Sequence, residues 1–316
     1  MIIITGGAGF IGANIVKELN KSGITNILVV DNLSSSLKWK NLNGLLFSNY
    51  IHKDAFINQL LQGSHPSDVE SIIHMGACSS TTETDVDYLW ENNVEYSKVL
   101  ATWAIEKNIR FIYASSAATY GDGELGFSDE VSDLNQWRPL NPYGWSKQQF
   151  DLWLDKNDLF EKVVGLKFFN VFGPYEWHKG NMMSMICKAK TQIDETGKVK
   201  LFRSHKSEYE DGGQLRDFIY VKDCAKIICW LLKNNQVNGL FNCGFGKARS
   251  WNDLANAVFK SLNKPPNIEY IDMPDSIRNQ YQYFTESTMN KMKKVGAPLP
   301  EYSLEAAVND YIQHYL

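Results

Sequence analysis

Thr5-Gly6-Gly7-Ala8-Gly9-Phe10-Ile11-Gly12 is a glycine-rich segment that follows directly on the apolar run Ile2–Ile4. Apolar side chains then recur with helical spacing as far as Leu19, so the glycines join a strand to a helix. Glycines let the backbone approach phosphates closely, and a helix N-terminus offers unpaired N–H groups to an anion. We therefore predict a dinucleotide pyrophosphate site here, and the alternative is a tight structural turn.

The next predicted strand, Ile27–Val30, ends at Asp31. A carboxylate at this position hydrogen-bonds the ribose 2′-hydroxyl in an NAD site. Asn32, Lys38, Lys40 and Lys53 follow, and lysines that reach back could instead hold a 2′-phosphate or remain solvated on the surface. The residues alone therefore leave NAD and NADP open.

Strand and helix patterns alternate along the first half of the chain. Strands are predicted at 71–74, 111–115 and 163–168, with helices at about 86–107 and after Asn141. This order predicts an α/β fold, a Rossmann-type doubly wound parallel sheet with a smaller α/β substrate domain. After Asn170 the regular alternation of strand and helix patterns stops. Two later segments, 217–221 and 239–243, again resemble sheet strands. We expect a dinucleotide-binding Rossmann domain of 1–170 plus 217–243, and a smaller substrate-binding domain of 171–216 plus 244–316.

Composition excludes several classes of protein. The 316 residues are 44% hydrophobic and 22% charged, which is typical of a folded globular protein rather than a disordered one. Lys and Arg number 32 against 36 Asp and Glu, a net charge of −4, so we expect no nucleic-acid partner. We see no signal peptide and no apolar run long enough for a membrane span. The five scattered cysteines predict reduced thiols and a cytoplasmic protein, and we predict no metal site.

Tyr143 and Lys147 lie one turn apart on one face of the helix predicted after Asn141. Tyrosine, with a pKa of about 10, is a poor base near neutral pH, so we expect Lys147 to lower that pKa. Ser116 follows the strand 111–115, at the sheet edge where ligands bind, and its hydroxyl can hold a substrate oxygen. In isolation the Tyr–Lys spacing also suits an ordinary surface pair, but after a glycine loop it predicts hydride-transfer chemistry.

Strings along the whole chain resemble the extended short-chain dehydrogenase/reductase family. They are TGGAGFIG (5–12), ASSAATYG (114–121), NPYGWSK (141–147) and FNVFGP (169–174). The resemblance implies a tightly held nicotinamide cofactor and a nucleotide sugar as substrate.

Two further strings, HMGACSSTTETD (74–85) and EWHKGNMMSM (176–185), are similar to one branch of that family. That branch inverts C6″ of an ADP-heptose for the inner core of bacterial lipopolysaccharide. The resemblance implies NADP as cofactor and a homo-oligomer with five subunits. This chain departs from the branch at Met75, where an acidic residue is expected, at Asn181, where a small serine is expected, and in a longer loop at 206–215.

The resemblance carries over residue by residue. The catalytic positions are Ser116, Tyr143, Lys147 and Lys179. The cofactor positions are Gly6, Gly9, Phe10, Ile11, Gly12, Asp31, Asn32, Lys38, Lys53, Met75, Gly76, Ala77, Cys78, Ser79, Asn92, Lys147, Val171 and Lys179. The substrate positions are Ser116, Asn170, Asn181, Lys188, Phe202, Arg203, Ser204, His205, Arg216 and Tyr281. Lys188 and Arg216 suit a diphosphate because they carry positive charge.

A stereocentre without an acidic proton cannot be inverted by deprotonation alone. We therefore expect oxidation at C6″ to a ketone and return of the hydride to its other face. The oxygen then lies on the opposite side, so two acid/base groups are needed, and Tyr143 with Lys179 form an opposed pair. Such a lysine needs a pKa lowered by burial or by a nearby positive charge. The alternative for Lys179 is a phosphate or ribose contact alone.

Three rival functions remain. One is another nucleotide-sugar epimerase or a modified-heptose enzyme on the same fold. A 4,6-dehydratase fits less well, because such enzymes carry an Asp-Glu pair where Ala117-Ala118 stand here. A redox-sensing binding module would tend to lose the Ser-Tyr-Lys set, which this chain keeps.

Overall fold

The computed structural model describes residues 1–130, 133–278 and 281–316. The strands in this part of the chain are β1 (Ile2–Thr5), β2 (Ile27–Asp31), β3 (Asn49–His52), β4 (Ser71–His74), β5 (Arg110–Ser116), β6 (Val163–Phe168), β7 (Asn170–Phe172), β8 (Val199–Phe202), β9 (Leu215–Tyr220), β10 (Gly239–Cys243), β11 (Ala248–Ser250) and β12 (Ile268–Ile271).

The helices cover both faces of the large sheet and build the remainder of the molecule. They are α1 (Phe10–Lys21), α2 (Lys53–Leu61), α3 (Val86–Leu89), α4 (Tyr96–Glu106), α5 (Pro142–Lys156), α6 (Met185–Thr196), α7 (Val221–Lys233), α8 (Trp251–Ser261), α9 (Asp275–Arg278), α10 (Asn290–Lys294) and α11 (Leu304–Tyr315). Of the helices in the described residues, none has the length and the apolar run needed to cross a bilayer.

The main sheet has seven parallel strands in the order β10-β6-β5-β4-β1-β2-β3. The chain runs outward from β1 through β2 to β3, and then returns to β4 on the other side of β1. This reversal places a crevice beyond the carboxyl ends of β1 and β4, where ligands bind in such sheets. The doubly wound parallel sheet predicted from the sequence is confirmed.

Two apolar cores lie on opposite faces of that sheet. One packs α1 and α7 against the strands, and the other packs α2, α4 and α5. The interior strands β1, β2 and β4 are buried along their whole length, which explains why the residues in the middle of each strand are apolar. The glycine loop and the end of β5 therefore lie at the edge of a sheet that is packed on both faces.

A third core joins α6, α8 and α11 to two small sheets. One sheet has the order β11-β9-β7, and the other pairs β12 with β8. We had expected the strand at 217–221 in the large sheet, but β9 pairs with β7 and β11. The reason is its packing, because Phe218 and Tyr220 belong to the third core and β10 occupies the place beside β6. The division of the chain into two domains stays a prediction.

The long helix predicted at about 86–107 is helical but not uniform. It consists of α3, a π-helical turn at Trp90–Glu95, and α4. Within the turn, Asn93 exchanges hydrogen bonds with the backbone of Cys78 (2.8 and 3.0 Å) and donates to Ser146 Oγ on α5 (2.9 Å). Such turns are frequent at functional sites, and this one joins the loop after β4 to the helix of Tyr143.

Candidate active site

The loop between β1 and α1 is built for close approach of a ligand. Gly6 has φ +65°, and a Cβ there would lie 2.7 Å from the backbone nitrogen of Gly76. A Cβ on Gly12 would lie 2.1 Å from the carbonyl oxygen of Gly6. Gly9 precedes α1 and brings no side-chain cap, so the first N–H groups of the helix remain available. This cradle fits a dinucleotide pyrophosphate.

Asp31, at the end of β2, is buried and heavily hydrogen-bonded. Its Oδ2 accepts from the backbone N–H of Ala8 (2.9 Å), and its Oδ1 accepts from the N–H of Asn32 (2.7 Å). Lys38 Nζ donates to the same Oδ1 at 2.8 Å and to the carbonyl oxygen of Asn32 at 3.0 Å. The carboxylate at the predicted ribose site is therefore already paired with the ammonium group of Lys38.

A cavity of about 450 Å³ extends from the glycine loop past Asp31 to Lys179. Most of the predicted cofactor residues line it, namely Gly6, Gly9, Phe10, Ile11, Gly12, Asp31, Asn32, Lys38, Lys53, Met75, Gly76, Ala77, Cys78, Ser79, Asn92 and Lys179. The other two, Lys147 and Val171, line the adjoining cavity described next. Sequence reasoning missed Tyr88 and Tyr96, whose positions on α3 and α4 carry no motif.

A second cavity of about 720 Å³ lies over the carboxyl ends of β5 and β6 and shares Phe10, Ile11 and Lys179 with the first. Ser116, Tyr143 and Lys147 all line it. The helix α5 that carries the last two begins at Pro142, and Asn141 Oδ1 caps it by accepting from the N–H of Gly144 at 2.8 Å. The predicted Ser-Tyr-Lys set is therefore together at one wall.

Burial controls the pKa values at this wall. It raises the pKa of Tyr143, and a hydrogen bond with Ser116 partly opposes the rise. We expected a lowered pKa for Tyr143, but in the protein alone it is raised, because the desolvation of the phenol outweighs the opposing hydrogen bond. Burial also lowers the pKa of Lys147 to about 8, against the opposing charge of Asp151.

Lys179 lies on a short 3-10 turn, Trp177–Met182, and lines both cavities. Its backbone N–H donates to the carbonyl oxygen of Glu176 at 2.9 Å, and its Nζ lies 5.0 Å from the centre of the Phe10 ring. Burial lowers the pKa of Lys179, while the charge of Glu176 opposes this shift. A lysine with a lowered pKa can exchange protons closer to neutral pH.

The predicted substrate residues fall into two groups. Five line the second cavity, namely Ser116, Asn170, Lys188, Phe202 and Tyr281. Five others are not part of its lining, namely Asn181, Arg203, Ser204, His205 and Arg216.

Arg216 is nevertheless close to the cavity. Its guanidinium carbon lies 4.9 Å from the ring centre of Tyr281, and its amino groups donate to the carbonyl oxygens of Leu215 and Gln282. His205 is turned toward Tyr283, whose hydroxyl is 2.8 Å from His205 Nδ1.

Gln192 and Lys200 are among the polar residues that line the second cavity but were missed from the sequence. Gln192 lies on α6, and its Oε1 accepts from the backbone N–H of Lys200 at 2.8 Å. Neither residue belongs to a recognisable sequence motif. They reach the site because α6 packs against β8.

Known proteins share this architecture. Residues 2–244 match the model of the NAD dependent epimerase/dehydratase family. The chain is 54% identical to the ADP-L-glycero-D-manno-heptose-6-epimerase of Nitratidesulfovibrio vulgaris, covering 100% of this chain and 98% of that one. It is 47% identical to the enzyme of the same name from Fusobacterium nucleatum, with the same coverage.

Solved structures of related enzymes have the same fold as this chain. The crystal structure of the Helicobacter pylori ADP-L-glycero-D-manno-heptose-6-epimerase aligns with a TM-score of 0.82 at 29% identity, over 99% of this chain and 95% of that chain. The UDP-N-acetylglucosamine 4-epimerase of Methanobrevibacter ruminantium aligns with a TM-score of 0.81 at 25% identity, over 99% and 96%. The chain therefore belongs to the NAD dependent epimerase/dehydratase family and, within it, to the ADP-L-glycero-D-manno-heptose-6-epimerases.

Proposed function

We propose that this protein converts ADP-D-glycero-D-manno-heptose to ADP-L-glycero-D-manno-heptose by inverting C6″, for the inner core of lipopolysaccharide. One observation carries the proposal: Tyr143 and Lys179 line one cavity that continues into the glycine-loop cavity. Two proton-transfer groups beside a nicotinamide site are what inversion through a ketone requires. The 54% identical relative supports the choice of substrate.

The chemistry of inversion divides between cofactor and protein. A nicotinamide cofactor held by the glycine loop and the residues around Asp31 would supply the hydride acceptor and donor for C6″. The protein must remove the proton of the 6″-hydroxyl and replace it after the sugar has turned. Because the oxygen changes sides, Tyr143 serves one configuration and Lys179 the other.

Lys147 and Ser116 support Tyr143 in this account. Lys147, with a pKa of about 8, remains protonated in most molecules near pH 7 and so favours the phenolate. The hydrogen bond between Ser116 and Tyr143 also lowers the pKa of the phenol, and the serine hydroxyl orients the sugar oxygen. For Lys179, burial and the nearby charge of Lys188 lower the pKa, which favours the neutral amine that a base needs.

We propose NADP rather than NAD as the resident cofactor. The carboxylate of Asp31 already accepts three hydrogen bonds, which leaves it a poorer acceptor for a free ribose 2′-hydroxyl. Lys38 stands beside it and Lys53 lines the same cavity, so a 2′-phosphate finds two ammonium groups. The cations support the phosphate, and Asp31 holds Lys38 in place.

We propose that the ADP-heptose occupies the second cavity, with Lys188 beside the diphosphate and Phe202 and Tyr281 beside the adenosine. The resemblance further favours a cytoplasmic homo-oligomer with five subunits. Analytical ultracentrifugation of the purified protein tests the subunit number.

Incubation with ADP-D-glycero-D-manno-heptose, without added cofactor, tests the function. NMR should show inversion at C6″, and the nucleotide released on denaturation should have the mass of NADP. Tyr143→Phe is the inactive control that keeps its cofactor. Release of NAD with no inversion would assign the chain to another nucleotide sugar or a modified heptose instead.

A further inference from the structure

The turn that carries Lys179 has little apolar anchoring of its own. Its residues, Trp177–Met182, are all at least partly exposed. Its position therefore depends on polar contacts at its two ends. At the far end, the buried carboxylate of Glu176 accepts from the backbone N–H and the hydroxyl of Ser184, both at 2.6 Å, which closes the segment 176–184 into a loop.

The other contacts come from the side of the cofactor. Asn41 lies on a 3-10 turn, Leu37–Leu42, and its side chain is 1% exposed. Its Nδ2 lies 2.9 Å from the carbonyl oxygen of Ala8 in the glycine loop and 3.1 Å from that of Tyr175. It also lies 3.2 Å from Nδ1 of His178, the residue before Lys179. One buried amide thus joins the glycine loop to the loop of Lys179.

The state of His178 agrees with this contact. An asparagine amide nitrogen only donates, so Nδ1 of the imidazole must accept and the ring must be neutral. Burial and the charges of Lys38 and Lys179 lower the pKa of His178 to about 4, which keeps the imidazole neutral at physiological pH. The bond therefore persists near neutral pH.

Asn41 shares its turn with Lys38. The two residues are three apart, so they lie on the same side of a 3-10 helix. Lys38 is the cation that, under the proposed function, meets the cofactor's 2′-phosphate. A phosphate that restricts the conformation of Lys38 therefore also restricts the turn that carries Asn41.

We infer that Asn41 is a positioning residue that couples occupation of the 2′-phosphate site to the placement of Lys179. The inference rests on the proposed function for the roles of Lys38 and Lys179. A phosphate on Lys38 fixes the turn 37–42, and Asn41 transmits that order to Tyr175 and His178. Coupling of this kind is reciprocal, so loosening the loop of Lys179 also weakens the preference for NADP over NAD.

Amide hydrogen exchange measured by mass spectrometry tests the coupling without relying on turnover. The protein saturated with NADP should exchange the amides of 175–184 about tenfold more slowly than the protein saturated with NAD, the effect of roughly one hydrogen bond. In Asn41→Ala and in the isosteric Asn41→Asp this difference should vanish, while NADP still slows exchange at 37–42. In these variants, kcat with NADP should fall to the wild-type value with NAD, with KM little changed.

Asn14→Ala is the matched control. Asn14 is also a buried amide, bonded to the residue just before this segment, at 2.9 Å from the carbonyl oxygen of Pro174, but it lies on α1 rather than on the turn of Lys38. Its loss should speed exchange of the loop equally with both cofactors and keep the difference between them.

The outcomes separate two failures. If NADP protects 37–42 in the wild type but the Asn41 variants keep the difference at 175–184, the coupling is refuted and the proposed function stands. If NADP does not protect 37–42 at all, the NADP assignment itself fails, and the coupling fails with it. Thermal unfolding of each variant confirms that the exchange is measured on folded protein.

Discussion

Lys167 Nζ lies 2.8 Å from Asp151 Oδ2, and the two side chains are 0% and 1% exposed. Asp151 lies one helical turn beyond Lys147 on α5, so the buried pair joins the helix of Tyr143 to β6. The hydroxyl of Ser115, the neighbour of Ser116, also donates to Asp151 Oδ2 at 2.7 Å. The carboxylate therefore fixes the wall of the active site from behind and helps to keep Lys147 charged.

Asp151→Asn should destabilise the protein by about 3–5 kcal/mol, because it leaves the ammonium of Lys167 buried without a charged partner. The double variant Asp151→Leu with Lys167→Met removes both charges and should cost less than the single change. Urea unfolding measures both. Asp194→Asn, which breaks an exposed pair with Lys190, is the control and should cost less than about 1 kcal/mol. A single variant no less stable than the double would contradict this account.

Lys179→Met should lower kcat by about 100-fold or more, as expected for the loss of one acid/base group. Lys188→Met is the comparison, because Lys188 lines the same cavity and should mainly raise KM. Steady-state kinetics followed by NMR at C6″ separates the two effects. Full kcat in Lys179→Met would remove Lys179 from proton transfer and leave it a binding residue.

Lys38→Met should weaken NADP binding by roughly 10–100-fold, since a hydrogen bond between charged groups contributes about 1.5–3 kcal/mol. NAD binding should change little, because NAD has no 2′-phosphate. Lys40→Met is the matched control, as Lys40 lies on the same turn but is exposed and stacks over Trp39. Calorimetric titration of the cofactor-free wild type and of both variants measures their affinities for NADP and for NAD. Equal losses for NADP and NAD would show that Lys38 does not read the phosphate.

Stability should fall in acid partly because of His74. Its Nδ1 lies 2.5 Å from Thr5 Oγ1 and its Nε2 lies 2.9 Å from Ser97 Oγ, and burial lowers the pKa of the imidazole to about 3. In the unfolded chain the imidazole is protonated below about pH 6.5, whereas in the folded chain it stays neutral until about pH 3. The free energy of unfolding therefore decreases as the pH falls from about 6.5 toward 3.

His74→Gln should therefore lose less stability than the wild type between pH 7 and pH 5. The expected difference is about 2 kcal/mol, from roughly 1.5 pH units at about 1.4 kcal/mol each. Urea unfolding at the two pH values supplies the comparison. The same acid loss in both proteins would mean that His74 titrates normally in the fold.

The sequence predicted those parts of the fold in which local pattern and tertiary structure agree. The glycine loop, the interior strands and the one-turn spacing of Tyr143 and Lys147 depend on near neighbours in the chain. By contrast, β3 (Asn49–His52) was missed, because it is an edge strand with partly exposed polar residues. The strand β9 was placed in the wrong sheet, since pairing partners far along the chain decide its position.

The candidate site divides in the same way. Residues within recognisable strings, such as Ser116 and Lys179, could be named in advance, and both line the second cavity. Asn41 and Gln192 carry no local signal, because each acts through a partner more than five residues away. The prediction that the pKa of Tyr143 is lowered was also wrong, because the burial that raises it depends on the whole fold.

The fate of a deuterium label at C6″ tests whether inversion proceeds through removal and return of one hydride. The substrate is ADP-D-glycero-D-manno-heptose carrying deuterium at C6″, incubated with the enzyme in ordinary water and analysed by NMR and mass spectrometry. Our account predicts that the inverted product keeps its deuterium at C6″, because the hydride never exchanges with solvent. Replacement of the deuterium by hydrogen from water during inversion would contradict it.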